Sequence, residues 1–549
     1  MFESVRTAVK AQLQNKVNVN EAELLSSLLP ESYSLAQICD ELVTDEDQLE
    51  SLLILSGCFD EFERLQREDN DEESSIKLSL WVSKAIVPGG DCVSENEAFE
   101  DKPSSSRNEA LRLAQRKGTL GLKSLQVLCR LNDSVPDTRV LLSVLAFTSQ
   151  KDPWTTSESA SIAQQFFSLP SIQRYTSNPE FIPQKLLQEF TRPLFSASKP
   201  ESITTAGRKA MPSTAPPKRH DFVNEKKSQP WRYEVPYSIA VLEWAVQNAS
   251  DEIILTSWPL IIPPLLTLLD TPTTPLLVRG LNLTTTFLPR LSTKPQLLTQ
   301  TGLFSVFEEA ILPTTLYLPS ITPLEDSLLI LPAAYSALFA LYTARFQPTP
   351  HPSPAKTETE TEMGTVKATI NRSSKAIAET EQHQRLHFLD RVFRRGILPA
   401  ASHTSSSSHS SAITIVLLAH VSPIVEKLGM HAVKHLKSII PMLAQAFCVP
   451  RYDLIQQALR TLQVVILNCW ARIGEEAWRI EVVRMLVVCK ETVHVFQLGR
   501  EDVRMARLWE SMAVVGRLLV RAVEGRVDMR EELRPLVEAD AEVGEVFGI

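Results

Sequence analysis

At 549 residues the chain exceeds what one hydrophobic core spans, so it folds as several domains or as a repeat array whose core grows lengthwise. Hydrophobic residues make up 44% with a mean hydropathy of −0.05, which confines disorder to local stretches. The 65 acidic residues outnumber the 56 basic ones, for a net charge of −9, and argue against a long nucleic-acid groove.

From the N-terminus, MFESVRTAVKAQLQNK lacks the apolar core of a secretory signal, so the sequons at Asn248, Asn282 and Asn371 are expected to be chance matches. The seven cysteines (39, 58, 92, 129, 448, 469, 489) are odd in number, widely spaced and without C-x-x-C, which predicts reduced thiols. Residues 1–195 are expected to form a helical block with an acidic, polar insert near 69–108. The glycines of G118-T-L-G-L-K-S lack the spacing that wraps a phosphate, so no nucleotide site is expected there.

Residues 196–229 are rich in Ser, Pro and Lys and predict a flexible linker. Its Arg208, Lys209, Lys218, Arg219, Lys226 and Lys227 leave open an import or nucleic-acid arm. The aromatics that follow, Trp231, Tyr233, Tyr237, Trp244 and Trp258, read as a packed helix face or a partner groove, the seven-residue step from Tyr237 to Trp244 favouring packing.

Two uncharged runs, Ile253–Leu269 and Ser327–Ala344, reach the length of a membrane span. Interrupting prolines, and the absence of flanking aromatic and basic anchors, favour buried helices and predict no membrane association.

Glycine is scarce at 17 and proline frequent at 35, a composition for helices punctuated by proline rather than for sheets joined by tight turns. Pro263, Pro313, Pro399 and Pro441 recur inside apolar runs at spacings of 50, 86 and 42 residues, close to the roughly 40 to 47 of two-helix HEAT or armadillo units. Each precedes a helical run: Val278–Leu291, Leu328–Ala344, Ala412–Leu428 and Leu454–Ile473. Asp270 before Arg279, and Asp453 before Arg460, are similar to the Asp and Arg that tie adjacent turns of HEAT units.

The long spacing contains a polar, disordered insert at 347–384, and a Ser/His tract at 402–411 is expected to loop out. His383 with His387, and His431 with His435, stand one helical turn apart, but no third ligand accompanies them, so solvated histidines are expected rather than zinc. Toward the C-terminus Trp478, Val482, Met485, Cys489, Val493 and Phe496 share one face, as do Leu508, Met512, Leu519 and Val523. The fold class is therefore all-α: an α-solenoid of HEAT/armadillo-like repeats with disordered inserts, its repeat blocks at 230–346 and 385–549.

PPLLTLLD (263–270), VRGLNLTTTFLPRL (278–291) and the run from Gly302 through Tyr342, with Phe307, Glu308, Tyr317, Leu318, Pro319, Thr322, Pro323 and Tyr335 most distinctive, resemble the Tti-two family of Tel-two-interacting proteins. The resemblance is specific over these 80 or so positions, while the first 200 residues add little. It implies a helical-repeat subunit of the Triple-T complex with Tel-two and Tti-one. That complex cooperates with the ninety-kilodalton heat-shock chaperone to mature phosphatidylinositol-3-kinase-related kinases, which implies links to TOR signalling, DNA-damage checkpoints and telomeres, in cytoplasm and nucleus. It implies no catalytic residue, cofactor or metal.

A karyopherin-like or other HEAT-repeat transport adaptor is the alternative, and an enzyme assembled from distant residues a third. In Tyr317–Pro323, Pro319 and Pro323 fix two dihedrals and disfavour helix before them, so a pre-ordered corner is expected. Tyr317, Leu318 and Ile321, held by Pro319 and Pro323, then either anchor a partner or cap the core between repeats.

Overall fold

The computed structural model describes residues 2–15, 21–43, 47–93, 104–132, 135–198, 200–204, 208–210, 228–346, 379–404, 410–496 and 502–549. Most of the linker expected at 196–229 (199, 205–207 and 211–227), most of the insert expected at 347–384 (347–378) and the centre of the Ser/His tract lie outside them. The described residues are overwhelmingly helical, and their only paired strands are two-residue segments, Tyr33–Ser34 beside Leu65–Gln66. The chain forms two compact units, Met1–Thr267 and Leu268–Ile549.

In the first unit, helices Gln48–Asp60 and Asp71–Ile86 pack on the long helix Ser104–Leu131, which also meets Ser157–Phe167. Gly118 and Gly121 explain how closely they approach: a Cβ at Gly118 would fall 2.3 Å from Phe147 Cε1, and one at Gly121 2.2 Å from Ile86 Cγ2. These glycines serve helix packing. Within the acidic, polar insert expected near 69–108, Asp71–Ile86 is helical, with Asp71, Ser74 and Ser75 buried, because its apolar Leu78, Trp81, Val82 and Ile86 fall on the face turned to the core. Residues 94–103 lie outside the described ones. Capping fixes other starts: Ser34 with Gln37, and Thr156 with Ser159, form reciprocal boxes.

The second unit repeats one device. Helices Thr274–Phe287, Leu324–Phe346, Ser410–Leu428, Tyr452–Ile473, Val503–Ala522 and Ala541–Phe547 each pack on the next, forming one layer. Leu303–Ile311, Leu436–Phe447, Glu476–His494 and Met529–Ala539 alternate with them as the companion layer. This is an α-solenoid, and its layer helices coincide with the four runs expected after the prolines, each beginning two to four residues earlier. The prolines themselves are not equivalent: Pro441 lies inside a helix, as does Pro263, whereas Pro313 opens a 3-10 turn and Pro399 follows a π turn at Phe393–Ile397.

Among the described residues three apolar stretches have the length and composition of a membrane span. Asp251–Leu269 and Leu324–Phe346 are 56% and 67% buried within the protein, as the sequence led us to expect. The third, Ser411–Phe447, comprises two helices separated by a 3-10 segment, Gly429–His435.

Candidate protein-interaction site

Helix Leu303–Ile311 begins at Gly302, whose φ of 74° suits a residue without Cβ. It tightens into the 3-10 turn Leu312–Leu316, where Thr314 and Thr315 hydroxyls donate to the carbonyls of Ile311 (2.7 Å) and Leu312 (2.6 Å). Behind this turn lies the π segment Phe393–Ile397, where a Cβ on Gly396 would sit 3.2 Å from Thr315 Oγ1 and 3.5 Å from the Tyr335 hydroxyl.

At Tyr317 the backbone leaves the helix (φ −76°, ψ 79°), and the N–H groups of Ile321 and Thr322 both donate to Leu318 O at 2.9 Å. Pro323 O then accepts the N–H (2.9 Å) and hydroxyl (3.1 Å) of Ser327, starting helix Leu324–Phe346. The corner is thus closed by its own hydrogen bonds. Its residues divide by burial: Leu318 is 2% exposed and belongs to the core, Tyr317 and Pro319 are half-buried, Pro323 is exposed, and Ile321 is 76% exposed. A core leucine cannot anchor a partner, so any docking falls to Ile321 with the edges of Tyr317 and Pro319.

Nearby helices are tied by buried charge. Arg391 donates to Glu308 at 2.6 Å; burial raises the Glu308 carboxyl pKa, against the pull of Arg391 and Arg395. Asp390 meets Lys434 (2.8 Å), His435 (3.0 Å) and Arg394 (3.2 Å). Its burial acts upward but is outweighed by Lys434, His435 and Arg394, leaving the carboxyl below its usual range. His435 is buried against the Phe393 ring, 4.3 Å between centroids, and burial lowers its pKa to about 4 despite Asp390. The sequence led us to expect a solvated histidine sharing a helix face with His431. The 3-10 geometry of Gly429–His435 instead sends His431 to solvent and His435 inward.

The remaining sequence candidates are dispersed. His383 and His387 are exposed and stack at 6.3 Å, and no group of three metal-ligating residues occurs among the described residues. Trp231 stacks on Phe195 (5.0 Å) and donates to Ser198 Oγ (2.9 Å), while Tyr237 stacks on Phe190 (5.8 Å). These aromatics are packing residues.

Of the basic stretch, Arg208 and Lys209 are described, and Lys209 pairs its backbone with Ile203; Lys218, Arg219, Lys226 and Lys227 lie outside the described residues. Arg279 is buried, whereas Asp453 and Arg460 are exposed. The first unit has a cleft of about 1010 Å³ whose buried Glu243 accepts from Ser149 (3.0 Å) and Lys151 (3.2 Å); no histidine or cysteine lines it. Six cysteines are buried, Cys469 and Cys489 on helix faces, and Cys448 is exposed.

No curated protein matches the chain. Among solved structures it is similar to importin beta, from a crystal structure in a polyethylene glycol condition, at 11% identity and a TM-score of 0.34, over 93% of this chain and 63% of that one. At that score no shared fold is established. A profile of the Tti2 family matches residues 140–452, which includes the whole of the stretch from Pro263 to Tyr342 and the corner within it. It also reaches some 60 residues into the N-terminal part that the sequence reading set aside. With more than half of its 549 residues matched, the chain belongs to the Tti2 family.

Proposed function

We propose that the chain is a non-enzymatic scaffold subunit of the Triple-T complex, joined to Tel-two and Tti-one, and that with the ninety-kilodalton heat-shock chaperone this complex matures and stabilises phosphatidylinositol-3-kinase-related kinases. Membership of the Tti2 family carries the proposal. A role in TOR signalling, DNA-damage checkpoints and telomere maintenance, in cytoplasm and nucleus, belongs to the same proposal.

Within it, the Tyr317–Pro323 corner docks on Tti-one. Support comes from an apolar side chain, Ile321, held 76% exposed on a backbone already ordered by its own hydrogen bonds, so that little entropy is lost on binding. Covering it contributes about 1–2 kcal/mol. The test is Ile321→Ser with Tyr317→Ala, read by thermal melting and by capture of Tti-one from lysate. Docking gives a nearly unchanged melt with lost capture. Undiminished capture removes the corner from the interface, and co-purification of nuclear-pore proteins in place of Tel-two and kinases would favour the transport-adaptor alternative.

A further inference from the structure

We propose that the cleft between the end of helix Val503–Ala522 and the start of helix Met529–Ala539 binds a short acidic segment of a protein partner, a run of aspartate and glutamate carrying an apolar residue. The proposal does not depend on the assignment to the Triple-T complex. The cleft, of about 820 Å³, is lined by Arg517, Arg521, Arg526 and Arg530, with Val520, Val527 and Phe547 among its apolar walls.

All four arginines are exposed, and none forms an ion pair with a described acidic side chain. Elsewhere in the same unit arginines do find carboxylates: Arg472 with Glu475, Arg479 with Glu532, Arg484 with Glu481. Arg526 is held over the Trp470 ring at 5.1 Å, which steadies its plane without neutralising it. Against the four stand the acidic side chains Glu524 and Asp528, the latter also a helix cap accepting from the N–H groups of Arg530 (3.0 Å) and Glu531 (3.4 Å), so the arginines outnumber them two to one.

Arg521 in the last turn of its helix favours the helix dipole in any case. Arg530 has no such explanation, since it stands in the first turn of Met529–Ala539, where a cation is unfavourable. A guanidinium is the group whose planar fork meets carboxylates in pairs, and several around one concavity suit a row of them. Val520 and Val527, both half-buried, add an apolar footing that a bare polyanion would not use, with Phe547 buried behind them. A nucleic acid extending past the cleft would meet a chain of net charge −9, so a short acidic peptide is the better match.

The experiment uses the full chain and a fluorescein-labelled peptide of alternating acidic and leucine residues, read by anisotropy at low and raised salt. The comparison probes are its Asn/Gln counterpart and a single-stranded oligonucleotide. Arg517→Gln with Arg521→Gln is expected to weaken peptide binding at least about ten-fold. Arg504→Gln with Arg507→Gln, an equal charge change at two exposed positions near the other end of the same helix, is expected to leave it unchanged. Equal weakening by both pairs, retained binding in the first, or tighter binding of the oligonucleotide or the Asn/Gln peptide would each overturn the proposal. Melting of both variants within a few degrees of the parent chain keeps the comparison one of binding.

Discussion

Glu532→Ala should release the helix Met529–Ala539 from its neighbour, because it strands a buried cation. Arg479 is 9% exposed at its side chain and donates Nε to both Glu532 oxygens (2.9 and 3.2 Å) and Nη2 to Oε1 (3.1 Å), while Nη1 reaches Gly474 O at 2.9 Å. Removing one partner of a fully buried pair costs about 3–5 kcal/mol. Two features lower that here: the Gly474 bond survives, and the Glu532 side chain is 28% exposed, so water fills the vacated space. The expected loss is about 2 kcal/mol. Native-state hydrogen exchange of the 529–539 amides should then accelerate about thirty-fold, since each 1.36 kcal/mol is a factor of ten. Arg479→Leu with Glu532→Leu should recover more than half of the protection, because no unpaired charge remains. Acceleration below about two-fold in the single variant, or no recovery in the double, would refute the assignment of this pair as the clasp.

Two further outcomes follow from packing and burial. Gly121→Ala places a methyl 2.2 Å from Ile86 Cγ2 and should destabilise the first unit by about 1–3 kcal/mol, seen as a lower melting temperature, whereas Gly89→Ala, with open space around it, should not. His435 is held neutral by burial, its pKa near 4 against 6.5 unfolded, with Asp390, Lys434 and Arg394 facing it. The unfolded chain therefore binds the extra proton first: the contribution is complete above pH 6.5 and is lost as pH falls toward 4, by at most about 3 kcal/mol. His435→Phe should flatten the fall in stability between neutral and mildly acidic pH, and an unchanged slope in a urea titration would show that other groups cause it.

The layer helices were legible in the sequence because their period of 3.6 survives in the residues themselves: Leu454, Leu459, Leu462 and Ile466 are all buried, as the pattern requires. The packed aromatics around Trp231 and Tyr237 were legible for the same reason. The family could be read from the run between Pro263 and Tyr342, yet its reach back to residue 140 could not, since amphipathic helices there carry little beyond their period.

What the sequence could not decide were pairings between positions far apart in the chain. Composition marked Asp71–Ser75 as polar, but burial of Asp71 depends on which helix lies against it. Spacing placed His431 and His435 together, and a 3-10 turn parted them. Arg479 finds Glu532 across 53 positions and Arg391 finds Glu308 across 83, while the four arginines between 517 and 530 form no ion pair among the described residues. Local periodicity is set by a residue and its neighbours within a turn or two, and the sequence holds all of it. Burial, charge pairing and the exposure of Ile321 depend on which distant surfaces meet, and only the tertiary structure brings those surfaces together.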